Sequence, residues 1–472
     1  MDSLWWEEVS DQTSEGAPEL DRVQLALCGQ HSLRSLLLRC SLSSFCPDDS
    51  NTNAALIAEF FKKTSHRTRC VGVPKTIDGD LRNEFIEMSF GFDTGQRARG
   101  EHECRGVRVF VGQCSSPRSR FLMSVCVCVV PATKVYSEQV AALCADAVSA
   151  RKTYHFCRLM GRTASHITLE VALQTHPNMS LIGEEIQARG QSLSSITKSI
   201  CDMICTRALQ GKHFGCVILP EGLVDFLPDV AQLIQELNEL MAAHGSVPSN
   251  IQAHLSAASF NLFNSLPAMI GQQLLLDRDP HGNVQVSKIE SERLVAFLVE
   301  QELARRKRLG TYKGSISIVT KFLGYEGRCG LPSVFDSNYC YALGQTAAAL
   351  LTRGYTGMIA TVQGLVLPPA EWSCGGIPLT MMMNLERRSG HDKPVIRKAL
   401  VRLEDTPFQL FDQLREQWKY QDQYRNPGSI QYSGRFAELT TMTLSLEQTA
   451  KKQQWAQEQK KKEADAPLRS NL

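Results

Sequence analysis

Apolar residues spaced three and four apart predict helices over residues 54–63, 135–150, 165–175, 192–209 and 227–244. Between them lie apolar runs too short for a helix, over 68–72, 155–160, 181–183 and 215–219, which read as strands. These strands close on Gly, Pro or a charged residue: Gly72-Val73-Pro74-Lys75, Gly161-Arg162 and Pro220-Glu221-Gly222. Strands alternating with helices predict parallel sheets, which gather ligand-binding groups at the strands' carboxyl ends. Residues 250–308 are mostly helical in pattern and join 227–244 as a helical addition, after which 314–323 resumes the sheet pattern. Beyond Leu444 the Lys-, Gln- and Glu-rich tail reads as a solvated helix or a frayed end.

Two stretches fall outside this alternation. Residues 1–45 show no sustained period, although 33–38 has helical character. Residues 95–131 carry six arginines and four cysteines without periodicity. Within them, Val125-Cys126-Val127-Cys128-Val129 is what an alternating GT dinucleotide run encodes. The block reads as a retained intron; the alternative is an arginine-rich surface loop with an edge strand, although structureless loops of such length are uncommon in compact domains.

A chain of 472 residues exceeds one core and predicts two lobes. With 51 basic and 49 acidic residues its formal charge is +2, which gives no reason to expect nucleic acid or a membrane surface as partner. Apolar runs such as 121–131 fall short of the roughly 20 residues that span a bilayer. The acidic opening Met1-Asp2-Ser3-Leu4-Trp5-Trp6-Glu7-Glu8 is no secretory signal, so the expected location is cytoplasmic. The 16 cysteines are scattered, many inside apolar runs, and none forms Cys-x-x-Cys; reduced, buried thiols are expected.

Carboxylates provide the first candidate chemistry. Asp48-Asp49 precedes Ser50-Asn51 and a helix, where capping is the simplest use of Ser50 and Asn51. Two adjacent acids also suit Mg²⁺, which takes carboxylates together with phosphate oxygens. Asp78 and Asp80 follow a strand, either as solvated acids in a turn or as acceptors of an alcohol proton. Lys75 taken alone is a surface lysine. Arg162 and Arg328 stand at strand ends, where guanidinium suits phosphate, and Glu221 ends a buried strand where it can take sugar hydroxyls.

The strings themselves are more specific. Pro-Lys-Thr-Ile-Asp-Gly-Asp at 74–80, Ser-Phe-Gly-Phe-Asp-Thr at 89–94, Leu-Met-Gly-Arg at 159–162 and Ser-His-Ile-Thr-Leu-Glu at 165–170 resemble the pyrophosphate-dependent phosphofructokinases. Pro-Glu-Gly at 220–222, Gly-Tyr-Glu-Gly-Arg-Cys-Gly-Leu-Pro at 324–332 and Gly-Gly-Ile-Pro-Leu-Thr-Met-Met-Met at 375–383 extend the match, in the family's order, over 48–94 and 132–440. The likeness is to the long, eukaryotic-type subfamily. It implies an α/β fold of two Rossmann-like lobes with parallel sheets (phosphofructokinase-like), plus a helical addition. The domains expected are an atypical segment 1–45, a phosphoryl-donor lobe remnant at 46–94 and 325–370, the irregular insertion 95–131, a sugar-phosphate lobe at 132–226, the helical addition at 227–312, and a carboxyl-terminal region with charged tail at 371–472.

The resemblance further implies phosphoryl transfer from pyrophosphate to the 1-hydroxyl of fructose 6-phosphate, with Mg²⁺. By that likeness Asp78 is the base, Lys75 neutralises the transferred phosphoryl group, and Thr76 and Ile77 line the sugar. Asp48 helps to hold Mg²⁺. Asp49 stands where ATP-using relatives carry glycine and fills the space of a nucleotide's α-phosphate. Met160, Gly161, Arg162 and Glu221 hold the sugar, and Tyr325 and Arg328 its 6-phosphate. Lys152 matches a position that reaches a neighbouring subunit's substrate, implying at least a dimer, homo- or hetero-oligomeric, although Thr153 replaces the usual aromatic beside it.

The chain departs from the family in two places. Cys46-Pro47 stands where the family writes Gly-Gly before Asp-Asp-Ser, and residues 1–45 hold no counterpart of the first strand and glycine-rich loop that cradles pyrophosphate. The block 95–131 interrupts the family's run, which resumes at Ala132. Both departures are what a misassembled coding sequence produces, and they leave open a catalytically impaired or regulatory subunit as the alternative, with an ATP-dependent enzyme third.

Overall fold

Ten strands in three sheets organise the residues that the computed structural model describes, namely 42–44, 48–91, 132–161, 164–244, 254–277, 284–328, 333–388, 391–428 and 440–464. The first sheet has the order β1 (Leu42–Ser44), β2 (Cys70–Gly72), β7 (Met358–Gln363), β8 (Ser373–Pro378). Its first three strands are parallel, and β8 adds an antiparallel edge. The second sheet, in the order β4 (Met179–Ser180), β5 (Gly215–Pro220), β3 (Tyr154–Leu159), β6 (Ile318–Leu323), is parallel throughout. A separate antiparallel hairpin pairs β9 (Met383–Arg388) with β10 (His391–Ile396).

Every residue of the central strands β3 and β5 is buried, as parallel strands covered on both faces require. Two polar residues of β3 have partners: His155 Nε2 meets Asp146 at 3.1 Å and Arg158 Nε meets Glu292 at 2.7 Å. On one face of this sheet α5 (Leu193–Leu209), α6 (Pro228–His244) and α9 (Ser291–Arg308) bring Ile196, Ile200, Leu233, Val295 and Val299 against Phe156, Val217 and Leu219. α5 starts where Ser192 accepts a hydrogen bond from the Ser195 N–H. The other core is shared between sheets. α2 (Thr133–Ala150) and α10 (Val334–Thr352) contribute Tyr136, Val140, Phe335 and Tyr339 to one cluster with Val71 and Val362 of the first sheet and Cys157 and Leu159 of the second.

Helix α1 (Asp48–Lys63) lays Ala54, Ala55 and Ala58 on Cys70 of β2 and Ile359 of β7. It begins at Asp48, earlier than the apolar period, so Ser50 and Asn51 lie inside its first turn and the capping expectation is corrected. Two further corrections concern strands. The short strand expected at 181–183 forms instead at Met179–Ser180, because Gly183 opens α4 (Gly183–Ala188) with its N–H on Ser165 Oγ at 2.9 Å. Within 1–45, which shows no sustained period, Leu42–Ser44 forms β1: three residues are too few for a pattern, and the ladder of β2 makes the strand. The rest of 1–45, and the block 95–131, lie outside the described residues. Among those described, Cys70, Cys144, Cys157, Cys201 and Cys216 are free, buried thiols, and no helix is long and apolar enough to cross a membrane.

Candidate active site

Parallel register assembles the first half of the site. Leu159 of β3 lies opposite Pro220 of β5 and Leu323 of β6, so the next residues of all three strands emerge side by side at one sheet edge. There Met160 donates its N–H to the Leu323 carbonyl at 3.1 Å, and Gly161 donates to Glu221 Oε2 at 3.0 Å. Gly161 has φ 150°, a conformation that favours glycine. Glu221 is 4% exposed and opens a 3-10 turn, Glu221–Phe226, while Tyr325 is 65% exposed on the turn that follows β6. A buried acid oriented by a main-chain N–H and an exposed phenol thus follow the two strands that flank β3.

The second half follows β2. Residues 74–76 run alongside 89–90 before the chain bends over 77–79: Thr76 donates its N–H to the Phe90 carbonyl at 3.1 Å, Phe90 to that of Pro74 at 2.9 Å, and Ser89 Oγ to that of Thr76 at 3.2 Å. Thr76 Oγ1 accepts the Asp78 N–H at 3.1 Å. Thr76, Ile77 and Asp78 are buried, Asp78 at 3% exposed, whereas Lys75 is half-buried. Asp78 is therefore no solvated turn acid. Gly79, with φ 71°, turns the chain between the two aspartates.

One main-chain strap joins the halves. Ala399 donates its N–H to the Asp80 carbonyl at 2.7 Å, and its own carbonyl meets His166 Nε2 at 3.0 Å. His166 begins α3 (His166–Thr175), five residues after Gly161. A carbonyl oxygen can only accept, so Nε2 carries the proton; burial, and then the nearby charge of Arg82, hold the imidazole far below its ordinary pKa, at about 3. Buried Glu184 tightens the same strap, with Oε1 accepting the N–H of Ser165 and of Val401, each at 3.0 Å. The bond-making atoms of residues 399 and 401 belong to the main chain, so no side-chain pattern announces them.

The structure brings Met160, Gly161, Glu221 and Tyr325 together and connects them through Ala399 to the segment bearing Lys75, Thr76, Ile77 and Asp78. Lys152 is exposed just before the amino end of β3, roughly 20 Å of strand from the site, and does not join this cluster. Asp48 and Asp49 open α1 and are described by backbone alone, as is Arg328; Arg162 lies outside the described residues. Among the described residues no three His, Cys, Asp or Glu side chains gather to hold a metal. Mg²⁺ takes one or two carboxylates with phosphate oxygens and water, and the two acids opening α1 suit that demand in kind.

A scan against models of known protein families found no match. Individual relatives are clear. The chain is 48% identical over 415 residues to the pyrophosphate–fructose 6-phosphate 1-phosphotransferase of Treponema pallidum (strain Nichols), covering 85% of this chain and 66% of that protein. It is 48% identical over 402 residues to the beta subunit of the Ricinus communis enzyme, again covering 85% and 66%. With the Porphyromonas gingivalis protein it shares 41% identity over 448 residues, 93% of this chain and 75% of the relative. The chain thus spans 66% of the length of the first two. A solved pyrophosphate-dependent phosphofructokinase from Nitrosospira multiformis aligns with a TM-score of 0.40 at 13% identity, over 83% of this chain and 69% of that one. Identity of 41% over three quarters of the Porphyromonas relative establishes the family: this chain belongs to the pyrophosphate–fructose 6-phosphate 1-phosphotransferase family.

Proposed function

We propose that this protein transfers a phosphoryl group from pyrophosphate to the 1-hydroxyl of fructose 6-phosphate, reversibly, giving fructose 1,6-bisphosphate and phosphate. The observation that carries the reading is the burial of Asp78 on a segment hydrogen-bonded, through Ala399, to the lobe holding Gly161 and Glu221. A carboxylate there accepts the hydroxyl proton as the sugar oxygen attacks phosphorus and phosphate leaves, general-base work of ~10²–10⁴ in rate. Lys75 neutralises charge on the group in flight, the main demand of phosphoryl transfer.

Thr76 and Ile77 line the sugar, and Met160, Gly161, Arg162 and Glu221 hold it. Tyr325 and Arg328 bind the 6-phosphate. Asp48 would hold Mg²⁺, which supplies charge neutralisation on the diphosphate. Asp49 excludes nucleotides by occupying and repelling the α-phosphate space. Lys152, remote from its own chain's cluster, serves a neighbouring subunit's substrate in an oligomer of at least two chains. The setting is the cytoplasm.

The test is a coupled assay on the purified chain, offering pyrophosphate and ATP in turn with fructose 6-phosphate and Mg²⁺. Turnover with pyrophosphate alone supports the assignment. Silence with both donors in a folded oligomer supports a regulatory subunit instead, and turnover with ATP alone overturns the role of Asp49.

A further inference from the structure

Asn51 is 1% exposed in the first turn of α1, three residues after Asp48 and so on the same helical face. Its Nδ2 donates to the main-chain oxygen of Val73 at 3.2 Å. Val73 is the residue at which β2 becomes the segment bearing Lys75, Thr76 and Asp78. The bond therefore ties the helix that starts on the acid pair to the strand end that leads to the buried aspartate. The other carboxamide atom, Oδ1, is buried and lacks a hydrogen-bond partner among the described residues. It packs on Gly72, where a Cβ would overlap it. A residue that only filled space here would be apolar. A buried amide kept with one acceptor unpaired, in a niche that only glycine leaves open, is the kind of local expense that is concentrated at functional positions.

We propose that Asn51 is a positioning residue for phosphoryl transfer, setting the distance between the Asp48–Asp49 turn and the Lys75–Asp78 segment; this rests on the reaction proposed above. Donor and acceptor groups then sit on two elements whose separation one side chain gauges. Displacements near 1 Å in such an arrangement can lower turnover by about 10²-fold.

Asn51→Ala and Gly72→Ala break the same contact from opposite sides. Each should lower kcat by ~10- to 100-fold at temperatures where the variant is folded, with both KM values within about threefold of the parent. The double variant should be no slower than the slower single, because one hydrogen bond is lost once. Hydrogen exchange followed by mass spectrometry gives a readout independent of turnover: amides of residues 75–80 should exchange ~10-fold faster in Asn51→Ala than in the parent chain. Parental kcat in folded Asn51→Ala, losses that multiply in the double variant, or a loss matching only the unfolded fraction would overturn the proposal. If the parent chain turns over neither donor, the reaction assignment fails and exchange alone decides; unchanged protection at 75–80 in Asn51→Ala then refutes the coupling.

Discussion

Gly327 lies against the ring of Tyr136 so closely that a Cβ would overlap it, and the Tyr136 hydroxyl donates to the Gly324 carbonyl at 2.7 Å. A fully buried phenol on α2 thereby shapes the turn carrying Tyr325 and Arg328, which the Gly327 N–H closes on the same Gly324 oxygen at 3.1 Å.

Gly327→Ala should displace that turn from the sheet edge. Since Tyr325 and Arg328 are the proposed 6-phosphate contacts, KM for fructose 6-phosphate should rise by about tenfold or more while kcat changes less, the pattern of lost ground-state binding. Tyr136→Phe removes only that hydrogen bond while the Gly324 carbonyl keeps the Gly327 N–H, so its effect should be mainly on stability, about 0.5–1.5 kcal/mol. Steady-state kinetics and denaturant melts on both variants check the split. A Gly327→Ala enzyme with parental KM would remove this turn from the substrate site.

Asp78→Asn keeps the shape of a buried side chain and removes its basicity. Turnover should fall by ~10²–10⁴ while the thermal midpoint moves by only a few degrees. Measuring both on one preparation separates loss of a base from loss of the fold. Near-parental kcat would dismiss Asp78 as proton acceptor.

His166 is held neutral in the fold, with a pKa of about 3 against 6.5 for the free group. A histidine whose folded pKa is depressed takes up its proton more readily when unfolded, so stability falls as pH drops from about 6.5 toward about 3. The slope from this single group approaches 1.4 kcal/mol for each pH unit within that window. His166→Gln should be less stable than the parent at pH 7, and its deficit should shrink with every step of acidification. Denaturant unfolding of both chains at pH 7, 6 and 5 tests this; parallel stability curves would contradict it.

Arg158 and Glu292 join β3 to α9 inside the protein, 2.7 Å apart, with side chains only 5% and 4% exposed. The Arg158 guanidinium also donates to the Ile289 carbonyl at 2.7 Å and lies 4.0 Å from the centre of the Phe322 ring. Arg158→Met leaves a buried carboxylate without its cation and should destabilise by about 3–5 kcal/mol. Adding Glu292→Leu should recover a large part of that loss, because the pair itself adds little beyond an apolar replacement. Unfolding of the two single variants and the double variant gives the comparison. Additive losses would show that the two charges do not act as a pair.

The order and type of the long elements were written in local pattern. Apolar spacing located α2, α5 and α6 within a few residues, since each buries one stripe against a sheet. Motif strings also named the loops after β2, β3, β5 and β6 that carry the candidate residues. Local pattern could not show that Leu159, Pro220 and Leu323 share one register, or that β1 exists at all. Those follow from hydrogen bonds between strands distant in the chain. Nor could it reveal the strap at Ala399, whose bonds are made by main-chain atoms that every residue possesses, or the pairing of Asn51 with Gly72, where one side chain's position is set by another residue's missing Cβ. Sequence alone determined which chemically capable groups the chain carries and in what order; tertiary packing decided which of those groups meet, because distance across the fold is set by packing and not by spacing along the chain.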